Sequence, residues 1–333
     1  MGLAVIASIL LTATTAMSAA PSTTLDAATL MDRAARAVDL RARDGAPFRL
    51  SATFWVQEPG IGKLEGRYEL SWRSPEAWRE EITYPGHNQL SGQDERGSWI
   101  LTELPRRTLR LFDIANALDV VAFAQLPRGG KVGAIETPKR KLSVVHIQLA
   151  LSGRFPWSEL SLDRDSGLPV RHETGPATSP QLEYKAIHEF SGYRPWRERR
   201  FPGLIKRFDG RRQVLELRVE GIADLPDEFS ALLARPEDAV DAPVCTAQER
   251  LATVSCDSSR QPFVAIEPQR RRTIGARAVV ARDGRLHDIV LVESSDFVTD
   301  GRYRDYLELW RCVPLTCGGV PADSEVFEFR IVN

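Results

Sequence analysis

Residues 48–73, FRLSATFWVQEPGIGKLEGRYELSWR, alternate between apolar and polar side chains on both sides of a short turn, PGIGK. Before the turn, the even-numbered residues from Phe48 to Val56 are apolar, and every odd-numbered one except Trp55 is polar. After the turn, the pattern continues at Leu64, Tyr68, Leu70 and Trp72. Alternation with a period of two over such lengths predicts two antiparallel strands in a sheet that buries one face and exposes the other.

The strand pattern extends over most of residues 24–233 and is interrupted by helical segments. Apolar residues at helical spacing predict one helix over residues 24–43 and another over residues 114–126. Further strands are predicted around Trp78, Ile82, Tyr84, Trp99 and Leu101, and over residues 142–150, 157–173, 182–190, 203–208 and 212–222. The strands do not alternate with helices, which argues against a parallel nucleotide-binding sheet. The predicted class is α+β, a helix-decorated antiparallel half-barrel followed by a small domain.

The small domain, residues 263–333, is predicted to consist of a β-hairpin, a helix and a final strand. The hairpin turns at Asp283-Gly284, a typical turn dipeptide. The segment GRYRDYLELWRCV is predicted to be a helix, because its spacing places Tyr303, Tyr306, Leu307 and Trp310 on one helical face. In the final strand, residues 325–332, the apolar Phe327, Phe329 and Ile331 alternate with Glu328 and Arg330. Residues 234–262, between the two domains, are interpreted as a linker.

All four cysteines, Cys245, Cys256, Cys312 and Cys317, lie in the last third of the chain. An even number of cysteines in an oxidising compartment indicates disulfides. Pairing between neighbours is the simplest arrangement, so that Cys245–Cys256 would pin the linker and Cys312–Cys317 would clamp the turn before the last strand, although three connectivities stay open. These spacings lack the tight knuckles of structural zinc sites, and no metal is expected.

The beginning of the chain predicts export. Residues 2–20, GLAVIASILLTATTAMSAA, carry no charge and end in small residues before Pro21. This pattern is typical of a signal peptide, interpreted as residues 1–20, although the usual positive residues at its start are missing. About 20 apolar residues can also span a bilayer, so an uncleaved inner-membrane anchor is the alternative. Either interpretation indicates a periplasmic, membrane-proximal protein.

The charge balance and the motifs exclude several classes of function. Lys and Arg number 44 and Asp and Glu number 45, so no net field draws the chain to nucleic acid. The five histidines are scattered, and neither a His-Glu-x-x-His nor a Gly-x-Ser-x-Gly motif occurs. Residues 60–66, GIGKLEG, lack the Ser or Thr of a phosphate-binding loop and are interpreted as a hairpin turn. We therefore expect a non-enzymatic protein without a cofactor.

Aromatic residues concentrate in the predicted half-barrel. Such side chains suit the core of a sheet, and they also line apolar ligand cavities. Both interpretations stay open for the candidate cavity residues, which are Phe54, Tyr68, Leu70, Trp72, Trp78 and Trp99. A cavity of this kind would accept a lipid or an acyl chain.

The C-terminal sequence resembles the TonB C-terminal domain family. The shared features are a hairpin with Asp-Gly, a Ser-Ser after its second strand, a helix that ends in Trp-Arg, a Pro, a Gly turn and an alternating last strand. The matching residues are Ser294, Ser295, Trp310, Arg311, Pro314, Gly318 and Gly319, whereas Cys312 stands where an aromatic residue is usual. The resemblance implies docking of an envelope protein. An edge strand can accept a peptide as an added strand, so Glu325, Phe327, Phe329 and Ile331 are the candidate partner-binding residues.

The N-terminal part is similar to lipoprotein carriers of the LolA type. The similarity is carried by RSPEAWREEITYPG at residues 73–86, RDSGLPVRHE at residues 164–173 and RRFPGLIKRFDGRRQVLELRVEGI at residues 199–222. It implies an N-terminal helix and a long-stranded half-barrel over an apolar cavity. The arginine that gates the cavity in that family has no assigned position here.

Two functional hypotheses follow from the sequence. The first is a non-enzymatic periplasmic protein whose half-barrel binds a lipid or acyl chain and whose C-terminal domain binds an envelope protein. The alternative is a TonB-like component of an energy transducer in transport across the outer membrane. A transducer should carry a long Pro-rich, charged rod, and the sequence contains none, which favours the first hypothesis.

Overall fold

The computed structural model describes residues 27–42, 44–58, 61–103, 108–121, 131–136, 142–148, 157–175, 185–243, 245, 256–257, 272–293, 304–305 and 307–332. The predicted signal segment, residues 1–20, lies outside these ranges. Within them, neither helix has the length and hydropathy that a membrane crossing requires.

The described elements are two α-helices, a 3₁₀ helix and a series of antiparallel strands. The helices are α1 (Ala27–Val38) and α2 (Leu109–Leu118), and the 3₁₀ helix spans Asp227–Leu233. In chain order the strands are β1 (Phe48–Glu58), β2 (Gly62–Ser74), β3 (Ala77–Tyr84), β4 (His87–Asp94), β5 (Gly97–Thr102), β6 (Lys131–Glu136), β7 (Leu142–Gln148), β8 (Trp157–Asp163), β9 (Pro169–Gly175), β10 (Ala186–Ser191), β11 (Arg194–Trp196), β12 (Arg199–Phe201), β13 (Leu204–Asp209), β14 (Arg212–Asp224), β15 (Val240–Asp241), β16 (Cys256–Asp257), β17 (Arg272–Val280), β18 (Leu286–Glu293), β19 (Arg311–Cys312), β20 (Leu315–Cys317), β21 (Val320–Ala322) and β22 (Ser324–Val332).

One large antiparallel sheet dominates the described chain. Its strand order is β15-β5-β4-β3-β2-β1-β14-β13-β10-β9-β8-β7-β6, so most neighbours in space are also neighbours in sequence. The join between its two halves is the pairing of β1 with β14, far apart along the chain. This arrangement confirms the predicted antiparallel sheet with few helices.

Strand registers determine which residues share a face of this sheet. Phe48, which begins the even-numbered apolar series of β1, lies opposite Trp72 of β2. Val56 ends the series and lies opposite Leu215 of β14. The even-numbered residues of β1 from Phe48 to Val56 are all buried, as the alternation predicts, because α2 and the end of α1 cover their side. We call this the inner face and the opposite side the outer face.

Both N-terminal helices differ in extent from the prediction. Helix α1 spans Ala27–Val38, so residues 39–42 of the predicted range 24–43 are not helical, and residues 24–26 and 43 lie outside the described ranges. Helix α2 begins at Leu109, five residues before the predicted start at residue 114, because the Thr108 side chain caps it by accepting a hydrogen bond from the Leu111 amide at 3.3 Å. It ends at Leu118, so the second half of the predicted helix 114–126 is not helical as far as residue 121, where the description stops.

The C-terminal region forms a separate three-stranded sheet with the order β18-β17-β22, here called the C-terminal sheet. Strand β22 contains the predicted final strand and pairs with β17, and the side chains of Glu325, Phe327, Phe329 and Ile331 lie outside the described part of the structure. Among the described residues of the helix predicted around Tyr306 and Trp310, residues 304–305 and 307–308 are helical. The helix stops before Arg311 and Cys312, because these residues pair as β19 with β16.

The predicted disulfides between sequence neighbours are wrong. The bridges are Cys245–Cys317 and Cys256–Cys312, which span 72 and 56 residues. Cys312 lies opposite Cys256 in the β16–β19 pair, whereas Cys317 pairs with Val320 in a different hairpin. Strand pairing thus separates the cysteines that are close in sequence. Each bridge joins the predicted linker, residues 234–262, to the C-terminal region.

Candidate functional site

The inner face has an apolar half formed by β14, β1, β2 and β3. Four of the predicted cavity residues, Phe54, Tyr68, Leu70 and Trp72, are buried there in one continuous cluster. Trp78 lies opposite Trp72 on β3 and packs against the cluster while partly buried. The structure therefore brings five of the six predicted residues together.

Trp99, the sixth predicted residue, lies on the outer face. It pairs with Gly92, whereas the adjacent Ser91 pairs with Glu80, which pairs in turn with Leu70 of the inner face. Trp99 is fully buried all the same, because its ring lies against Gly92, where a Cβ atom would approach the ring to 2.3 Å. Trp99 is thus a packing residue and no part of the candidate cavity.

Helix α2 and the C-terminal end of α1 cover the apolar half, and we call them the lid. Val38, the last residue of α1, and Leu40, just beyond the helix, belong to the same apolar cluster. Helix α2 contributes one apolar stripe to that cluster, made of Leu111, Ile114, Ala117 and Leu118. The apolar side chains of the lid exclude water from the inner face. Each Å² of apolar surface buried in this way stabilises the closed position of the lid by about 25 cal/mol.

A small cavity remains where the ends of the helices meet the sheet. Its volume is about 30 Å³, and its walls include Leu40, Phe48, Leu50, Leu118 and Phe201. Pockets that hold small ligands usually measure about 300–1,000 Å³, so this one has room for little more than a water molecule. With the lid in this position, the inner face is filled by the protein itself.

Polar groups border this cavity on one side. Tyr68 donates a hydrogen bond to the Glu80 carboxylate at 2.8 Å and accepts one from the Arg41 guanidinium at 3.2 Å. Burial, together with the nearby charge of Glu80, raises the pKa of Tyr68 well above its usual range, so the phenol keeps its proton. The exposed Arg41 also lies 5.9 Å from the centre of the Trp72 ring. Arg41 is therefore a cation at the edge of an otherwise apolar surface.

The other half of the inner face is polar. Arg207 of β13 lies opposite His188 of β10, which lies opposite His172 of β9. Burial lowers the pKa of His172 to about 4 and holds the pKa of His188 well below its usual value, so both imidazoles are neutral near pH 7. The His172 Nε2 atom is 2.7 Å from the hydroxyl of the buried Ser158. That spacing suits a nucleophile and its base, but an imidazole with so low a pKa is a weak base at neutral pH.

A buried charge network lies between α2, the polar half and the C-terminal sheet. The Asp113 carboxylate of α2 contacts the guanidinium groups of Arg110 at 2.7 Å, Arg207 at 3.1 Å and Arg277 of β17. Arg277 also contacts Asp209 of β13 at 2.5 Å. Burial alone would raise the pKa of Asp113, but the positive charges of the three arginines outweigh it and hold that pKa well below its usual range.

Sequence reasoning missed this network. A signal was present, because Arg110 and Asp113 interrupt the apolar run LRLFDIANAL, and Arg277 interrupts the strand GARAVV. A lone charged residue in an apolar segment is usually assigned to a solvent-exposed face. Here the charged side chains of α2, β13 and β17 instead form ion pairs with one another in the interior. Within the described ranges, no group of three or more His, Cys, Asp or Glu side chains is placed to hold a metal ion.

Comparison with known proteins gives similarity to solved structures only. No family model matches the chain, and no curated protein matches it.

The solved structures that resemble the chain share little sequence with it. A LolA superfamily protein from Nitrosomonas europaea has 15% identity and a TM-score of 0.42, over 63% of this chain and 98% of that one. An outer membrane lipoprotein-sorting protein domain from Vibrio parahaemolyticus has 9% identity and a TM-score of 0.39, over 62% and 98%. A DUF1329 family protein from Desulfovibrio piger has 10% identity and a TM-score of 0.39, again over 62% and 98%. The function proposed next is built on the geometry of the chain itself.

Proposed function

We propose that the protein is a non-enzymatic periplasmic binding protein that holds a lipid or acyl chain against the apolar half of its inner face. The observation that carries this proposal is the lid. The broad apolar surface of β14, β1 and β2 is covered by the short helix α2 and the end of the short helix α1 rather than by a second sheet. A short helix is marginally stable by itself and owes its stability to packing, so it is an element that can move off the sheet.

The ligand would take the place of the lid. The existing cavity of about 30 Å³ is too small for an acyl chain, so α1 and α2 must shift as the chain enters. The acyl chain would then bury the same apolar side chains of the sheet that the helices bury now. The stabilisation that the sheet loses when the helices move away would thus be recovered. Arg41, at the rim, supplies a positive charge for an acidic head group.

Two disulfides support the periplasmic location, because structural disulfides persist in oxidising compartments and are rare in the cytosol. The exported N-terminus and the domain boundaries at residues 24–233, 234–262 and 263–333 belong to the same proposal.

The C-terminal domain is proposed to bind an envelope protein in the manner of TonB C-terminal domains. Strand β22 is the last strand on one side of the described C-terminal sheet, since the order is β18-β17-β22. An edge strand can accept an extended peptide as an added strand, with backbone hydrogen bonds giving affinity. No observation favours the energy-transducer alternative.

The test of lipid binding compares two tryptophans on opposite faces. Trp72→Ala removes apolar contact area from the inner face, and we expect it to weaken binding of a dansyl-labelled fatty acid by roughly tenfold, equivalent to about 1.4 kcal/mol. Trp55→Ala is the matched control, because Trp55 lies on the outer face beneath the Lys63 ammonium, 4.6 Å from its ring centre. Fluorescence titration measures both, with circular dichroism as the check on folding. Equal affinities for wild type and both variants would show that the inner face does not bind the fatty acid.

A further inference from the structure

Among the described residues, two polar contacts join the C-terminal sheet to helix α2 of the lid. Arg277 of β17 contacts Asp113, and Asp288 of β18 accepts a hydrogen bond from the Leu109 amide at 3.1 Å. Both contacts join residues more than 160 positions apart, with sequence separations of 164 and 179. Leu109 is the first residue of α2, and Asp113 lies one turn further along, so both contacts grip the same end of the helix.

The local geometry of β18 is shaped for the second contact. Asp288 has φ of 51°, in the left-handed region that residues other than glycine seldom adopt. It lies at a register shift of the β17–β18 pair, between the pairs Arg277–Val290 and Val279–His287. Such bulges redirect a side chain, and this one directs the Asp288 carboxylate to the N-terminus of α2. A negative charge there is favourable because the first helical amides point outward without helical partners.

The contact between Arg277 and Asp113 belongs to the buried charge network, whose ion pairs depend on the position of α2. Arg110, Arg207 and Arg277 carry three positive charges, and their carboxylate partners are Asp113, Asp209 and Glu58, the last at 3.7 Å from Arg110. Asp113 and Arg277 are fully buried. If α2 moved alone, Arg207 and Arg277 would stay in the interior without their contacts with Asp113, and a buried charge that loses an ionic partner is strongly destabilising.

We propose that the C-terminal sheet is a latch that holds α2 closed over the inner face. Release of Arg277 and Asp288 by movement of the C-terminal sheet frees α2, and the apolar half then becomes accessible. A charged contact suits this role because its groups regain hydration when the surfaces part, whereas a large apolar contact would not release readily. Docking of a protein partner on the C-terminal sheet is thereby coupled to loading or unloading of the inner face. The coupling to ligand rests on the proposed lipid-binding function.

The test uses the full chain and two variants that weaken the latch in different ways. Arg277→Met removes the buried contact, and Asp288→Gly removes the surface contact while tolerating the positive φ. Arg282→Gln is the control, since Arg282 lies in the same β17–β18 hairpin, is half exposed and contacts Asp323 rather than α2. Should Arg277→Met fail to fold, Asp288→Gly decides the question alone.

Two measurements separate the latch from the ligand. Hydrogen exchange of the α2 amides should become at least tenfold faster in both latch variants, with exchange in β1 unchanged and Arg282→Gln like wild type. Uptake of a dansyl-labelled fatty acid should also become at least tenfold faster in both. Unchanged α2 exchange in the latch variants would overturn the latch. If exchange in α2 became faster but neither wild type nor any variant bound the fatty acid, the latch on α2 would be upheld. The proposed lipid-binding function would then be overturned.

Discussion

His172 and His188 lie side by side on the polar half of the inner face, with ring centres 6.4 Å apart. Burial lowers the pKa of both, so the folded protein keeps them neutral where the unfolded chain would protonate them. They border the charge network, in which Arg207 lies 3.5 Å from His188. A proton on His188 would add positive charge beside this arginine.

The stability of the protein should therefore fall in acid through His172. The pKa is about 4 in the folded protein and 6.5 normally. Between these values the unfolded chain binds a proton that the folded chain does not, so the free energy of unfolding falls as pH is lowered from about 6.5 to about 4, by at most about 3 kcal/mol. Below about 4 both states are protonated, and this residue causes no further loss.

His172→Gln tests this prediction because glutamine does not titrate. Urea unfolding between pH 7 and pH 4 should show a flatter pH dependence for the variant than for wild type. His188→Gln should flatten it as well, since burial and the nearby Arg207 also lower the pKa of His188. Parallel pH profiles for wild type and His172→Gln would contradict the lowered pKa.

Individual residues differ in how far the sequence predicts their place. Phe54 and Trp72 follow the alternation that begins at Phe48, and their burial could be predicted from period two alone. Trp99 could not be assigned to a face in that way, because its side depends on the registers of β3, β4 and β5, each set by a separate turn. Arg277 occupies an apolar strand position, and only the partner elements, distant in sequence, explain its burial.

At the scale of elements, strands were predicted better than helix ends. A strand is indicated by its own alternation, whereas α2 begins where Thr108 caps it and ends at Leu118, after which the Asp119 amide donates a hydrogen bond to the Ala115 carbonyl. The disulfides could not be predicted from local sequence either, since it is the pairing of β16 with β19 that brings Cys256 to Cys312. Pairings between distant segments leave no mark in the local sequence.

The disulfide between Cys256 and Cys312 should stabilise the C-terminal sheet by constraining the unfolded chain. It closes a loop of 56 residues, for which chain entropy gives up to about 4 kcal/mol. Replacing both cysteines by serine should accelerate hydrogen exchange in β17 and leave β1 unchanged. Peptide mapping without reduction supplies the control, and recovery of a Cys245–Cys256 peptide would contradict this connectivity.

At the scale of the whole molecule, one sheet presents two unlike surfaces on the same face. The apolar half lies under α1 and α2, and the polar half meets α2 and the C-terminal sheet through the charge network. Helix α2 belongs to both, with an apolar stripe on one side and Arg110 and Asp113 on the other. This arrangement connects the surface proposed for a lipid with the region proposed for a protein partner.

The most direct test of lipid binding is photolabelling with a fatty acid that carries a diazirine at the end of its chain. After irradiation and digestion, the labelled residues identify the surface that the chain occupies. We expect labels on inner-face residues such as Leu50, Tyr68 and Leu217, with few on the outer face. Labels confined to exposed apolar residues of the C-terminal region, such as Val313 and Val320, or to Trp55 on the outer face, would contradict it.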